Sequence, residues 1–120
     1  NLPKVTDPSL ATGYDQLQLL VYAACSDLTT GAMPLMQSVY SVPATGSIMA
    51  NQAALVAAGT RMLDQHAAGL ASQGAASADV GKALTNLVQK LAATTTNTTK
   101  IAFMSVCIAA NTAGTAMLGF

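Results

Sequence analysis

Apolar residues at Leu10, Tyr14, Leu17, Leu20 or Val21, Cys25 and Leu28 recur in steps of three and four, the spacing that puts side chains on one face of a helix. Leu19, Tyr22 and Ala23 widen the stripe, so this first helix is expected to be covered on more than one side. Asp7-Pro8 is a suitable start. The carboxylate accepts from a free backbone N–H, and proline fits the first helical position. Thr29-Thr30-Gly31 is a suitable stop, because glycine takes positive φ without cost. Residues 1–7 read as an extended arm.

Pro34 and Pro43 bracket a short apolar run, Leu35 to Val42. Pro34 can open a short helix and Pro43 must end it, so this is predicted as a connecting piece with Leu35, Met36, Val39 and Tyr40 on one small face. A strand is the weaker alternative, since no partner strand is evident. After Thr45-Gly46-Ser47, with Ser47 as cap, the longest helical pattern runs from Ile48 to about Ser72. Ile48, Leu55, Met62 and His66 lie along one face, with Met49, Val56, Leu63 and Leu70 beside them.

Ser77 is positioned to cap a further helix, with Asp79 in the first turn, where negative charge is favourable. Val80, Leu84, Leu87 or Val88, and Leu91 would form its inner face. The polar run 94–99 holds five threonines and Asn97, poor helix formers, and predicts a break. Ile101 to Phe120 follows without a charge. The sum is a single all-α domain over 1–120, a bundle of about four helices with a short Pro-bounded connecting segment. Leu17, Val21, Ile48, Leu55, Met62, Leu84, Leu91 and Ile108 are its candidate packing or assembly faces.

Composition changes the picture in one respect. Hydrophobic residues make up 52% of the 120-residue chain and charged residues only 8%, against about 25% in an ordinary soluble domain. Alanine alone is roughly a fifth. Five cations balance five aspartates, so net charge is zero and the repulsion that keeps molecules apart is missing. Nucleic-acid binding is disfavoured, because no basic cluster exists to neutralise phosphates. The expected partner is a second copy of the same chain.

Candidate chemistry is sparse. His66 is the only histidine, and Asp64, two residues away, points elsewhere on a helix, while Arg61 and Asp64 have pairing distance. No metal site, cofactor or catalytic set is expected, and the chain is read as not an enzyme. Cys25 and Cys107 fall on the first and last helices, which are antiparallel neighbours in an up-and-down bundle. A disulfide there would close a loop of about 80 residues, worth ~3–4 kcal/mol; two buried thiols are the alternative. Asn97-Thr98-Thr99 matches the N-glycosylation pattern. Ile101–Phe120 has the length of a membrane span, but Ser105, Asn111, Thr112 and Thr115 favour a buried helix. The chain opens on Asn1 with no visible signal segment. It is either a processed product, which implies an extracellular or cell-surface location, or a chain whose start is missing.

Two stretches, Ala44-Thr45-Gly46 through Ala50-Asn51-Gln52-Ala53 and Ser105-Val106 through Ala113-Gly114-Thr115, resemble the R-body (killing-trait) proteins. The resemblance covers less than half the chain and implies a subunit of a coiled bacterial ribbon. The function expected from the residues themselves is a structural, self-assembling subunit of a filament or other homopolymer. A small helical module binding an apolar ligand, and an embedded subunit of a membrane assembly, are the alternatives.

Overall fold

The computed structural model describes residues 19–67 and 76–117, with side chains described in 19–65 and 78–113. Those residues form an all-helical bundle. In chain order the helices are α1 (19–27), the short α2 (Leu35–Ser38), α3 (Gln52–Ala67), α4 (Ala76–Ala92) and α5 (Thr99–Met117). The expected arm 1–7, the start at Asp7-Pro8, Leu17, the stretch 68–75 and the His66 side chain lie outside the described residues.

The core is built on the α3–α5 pair. Leu55, Ala58, Gly59, Met62 and Leu63 form one stripe of α3, and Ala102, Phe103, Val106, Cys107 and Ala110 one stripe of α5. Both follow the three-and-four spacing that a buried face requires. α4 adds Leu84 and Val88, with Val80, Leu87 and Leu91 half-buried beside them. Ile48, Leu55, Met62 and Leu84 are therefore core residues, while Val21, Leu91 and Ile108 pack half-buried against the core.

Gly59 is where the three long helices meet. A methyl added there would lie 2.8 Å from Val106 Cγ1 and 2.9 Å from Leu84 Cδ1. Gly81, inside α4, has open space around the same position. The two glycines thus make opposite predictions. Gly81→Ala should stabilise the fold by about 0.5–1 kcal/mol through helix propensity. Gly59→Ala gains that same term but overpacks the crossing at a cost of about 1–3 kcal/mol, so a net loss of about 1 kcal/mol is expected. Paired urea titrations check this, and a stabilised Gly59→Ala would refute the close approach.

Helix ends follow local chemistry, with two departures from expectation among the described residues. α3 starts at Gln52 rather than Ile48, because residues 48–51 form a tight turn in which Ser47 Oγ accepts from the Ala50 N–H at 3.1 Å. α4 is described from Ala76, with Asp79 in its first turn as expected. In the connecting piece, Leu35 and Val39 lie on the opposite side from Met36 and Tyr40. Met36 is buried and Tyr40 half-buried, whereas Leu35 and Val39 face solvent. A piece this short cannot turn adjacent pairs such as Leu35–Met36 and Val39–Tyr40 all inward, since neighbours in a helix point about 100° apart. Ser41 then takes φ 58°, which turns buried Val42 into the core, its N–H donating to Met36 O at 2.8 Å.

The predicted break at 94–99 is present, and its last residue anchors the next helix. The buried Thr99 hydroxyl donates to Gly46 O at 2.8 Å and accepts from Asn51 Nδ2 at 3.2 Å, which also donates to Thr45 O. This ties the start of α5 to the loop before α3. Thr99→Val keeps the shape and removes both bonds. The expected cost is about 1–3 kcal/mol, read as a lower urea midpoint, with Thr99→Ser recovering much of it.

Candidate functional site

On the outside of the connecting piece Leu35 and Val39, four residues apart and 47% and 40% exposed, share a side, and Met33, 69% exposed, comes just before them; together these three are termed the apolar ridge. The ridge is held firmly from beneath. Arg61 of α3 donates from Nη1 to Val39 O at 2.6 Å, and its guanidinium lies 5.0 Å from the centre of the Tyr40 ring. Tyr40 in turn packs against buried Phe103, ring centres 5.9 Å apart and tilted. Cation–ring and ring–ring contacts of this kind each contribute about 0.5–1.5 kcal/mol. Three apolar side chains are thus presented to water on a well-anchored support. Met49, Ile101 and, on α1, Leu19, Leu20 and Tyr22 are further exposed apolar side chains.

A groove runs between α4 and α5. Both helices pack on α3, but they meet each other sparsely, and among the described residues α5 presents Ala109, Ala110 and Ala113 along that edge. The space left is about 360 Å³, floored by Leu63 and walled by Val80, Ala83, Leu84 and Leu87. Among the described residues Asp79 is its one ionisable lining residue, and it is exposed. The groove is an open trough rather than an enclosed cavity.

Two smaller spaces also lie among the described residues. One of about 270 Å³ lies under α1, lined by Val21, Leu28, Tyr40, Met62 and Asn111 and by Cys107. Cys107 is joined to Cys25 by a disulfide, with Cα atoms 5.8 Å apart. Asn111 Nδ2 donates to Cys107 O at 2.9 Å and rests 3.5 Å from the Cys107 sulfur. The other, about 340 Å³, is lined by Ser47, Ile48, Met49, Ala92, Thr94, Thr95 and Asn97.

Asn97 is bound into the turn after α4, where its Nδ2 donates to Leu91 O at 2.9 Å. A glycan there would take one of the two hydrogens of that nitrogen, and the motif's second hydroxyl, on Thr99, is the buried one described above. Among the described residues no group of three His, Cys, Asp or Glu side chains is placed to hold a metal ion. Among them too, no helix is long and apolar enough to cross a membrane.

The structure brings Leu55, Met62, Leu84 and Ile48 together as core and leaves the outward apolar surface to other residues. Met33, Leu35, Val39 and Met49 were not singled out as a surface by spacing. The available signal was the proline bracket itself, since a piece too short to bury two sides must expose one. Comparison of the chain with protein-family models, with curated proteins and with solved structures finds no match, so the R-body resemblance rests on its two low-complexity stretches alone.

Proposed function

We propose that this chain is a structural subunit that assembles with copies of itself. The observation that carries the reading is the anchored apolar ridge of Met33, Leu35 and Val39, exposed on a chain that is only 8% charged and carries no net charge. Covering such surface contributes about 25 cal/mol per Å², so an interface of roughly 1,000 Å² supplies a gross ~25 kcal/mol. Set against that gross figure are about 4–15 kcal/mol for lost translational and rotational freedom, together with side-chain ordering and polar desolvation, so only the surplus appears as affinity. Little charge repulsion opposes association. A disulfide persists in an oxidising compartment, and the reading places the assembly outside the cell or at its surface. A filament, a ribbon or a closed ring are forms this assembly can take. Size-exclusion chromatography with light scattering is the test. The expected mass is a multiple of 12.1 kDa, and a clean 12.1 kDa species at high concentration contradicts the proposal.

A second reading, a module that takes up an apolar ligand, has the α4–α5 groove in its favour, since about 360 Å³ falls within the usual range of ligand pockets. It predicts a monomer with a co-purifying small molecule. Native mass spectrometry showing bare protein would remove it.

A further inference from the structure

Resting on the self-assembly reading, we infer that the contact is head-to-tail: the Met33/Leu35/Val39 ridge of one copy seats in the α4–α5 groove of the next. Three observations support this occupant. The first is shape. An open trough leaves much of a small molecule wet, whereas ligand sites typically bury 70–90% of theirs. A protein ridge brings its own cover. The volume, about 360 Å³, is more than twice the ~150 Å³ apolar cavity that accepts a benzene ring, which suits two or three aliphatic side chains.

The second is charge. The cation beside the ridge is Arg61, and among the described residues the one ionisable side chain lining the groove is Asp79. Seating one on the other brings opposite charges to the rim of an otherwise apolar contact, the arrangement that fixes register. The third is placement. Arg61 and Leu63 are two residues apart on α3, and residues so spaced do not share a face. Arg61 supports the ridge and Leu63 floors the groove, so the two surfaces lie on different sides of one helix. A molecule cannot fill its own groove with its own ridge. A contact between two different patches closes into a ring or continues as a filament.

Two variants at exposed positions test this. Leu35→Asp spoils the ridge, and Ala109→Glu puts a charged side chain over the groove while keeping a good helix former. Circular dichroism and thermal melting first confirm that both fold. In sedimentation velocity, each variant alone should associate about a hundredfold more weakly than wild type, the size of a central interface residue's effect. Mixed in equal amounts, they should form a pair of two chains that grows no further, because one intact ridge and one intact groove remain between them. Variants that assemble like wild type, or a mixture that fails to pair, overturn the head-to-tail contact and leave the assembly reading standing. A wild-type protein that is monomeric at every concentration overturns both.

Discussion

Replacing Cys25 and Cys107 together by alanine is expected to lower stability by about 3–4 kcal/mol and the melting temperature by roughly 10–20 °C. The bond spans 82 residues of sequence, so its loss restores much of the unfolded chain's freedom. Its effect should also be local. Within the described part of α1, Cys25 is the only fully buried residue, while Leu19, Leu20 and Tyr22 are exposed and Val21 half-buried. The disulfide is therefore the principal tie between α1 and α5. Hydrogen exchange should accelerate first across 19–27 in the double variant, with α3 and α5 still protected. A melting temperature unchanged within about 2 °C would show that packing alone holds α1.

Phe103→Ala is the second large effect, about 3–5 kcal/mol, because the side chain is fully buried between α3 and α5 and leaves a cavity. For a fold whose whole stability is of the order of 5–15 kcal/mol, that brings it close to unfolding at 37 °C. The consequence reaches the surface. Phe103 supports Tyr40, and Tyr40 supports Arg61, whose other contact is the backbone of Val39. Phe103→Leu, which retains most of the apolar volume, should cost clearly less in urea midpoint yet still weaken self-association, since the ring beneath Tyr40 is gone.

The helical class, the break at 94–99 and the stop at Gly31 were legible because each rests on local chemistry. Gly31 takes φ +94°, and the threonine run ends one helix and starts the next. Of the contacts distant in sequence, the Cys25–Cys107 pairing was one of two alternatives the sequence offered and is present as a disulfide, whereas the helix crossings were not legible. Nothing in the spacing around Gly59 reveals that Val106 and Leu84 converge on it, and the abundance of alanine hides which small residues mark a crossing. Of the apolar positions expected as packing or assembly faces, Ile48, Leu55, Met62 and Leu84 are buried, while Val21, Leu91 and Ile108 pack half-buried against the core. The outward ridge arises where a segment is too short to have two covered sides. The groove arises where alanines leave a gap that no pattern of apolar and polar letters records.

The central claim is that exposed apolar surface, rather than charge, draws copies of this chain together. Sedimentation velocity across a hundredfold range of protein concentration, at low and at high salt, tests it most directly. The average mass should rise with concentration and hold as salt rises, because apolar burial is not screened and only the Arg61–Asp79 rim pair is. A mass fixed at 12.1 kDa throughout, or assembly that dissolves in high salt, would contradict it.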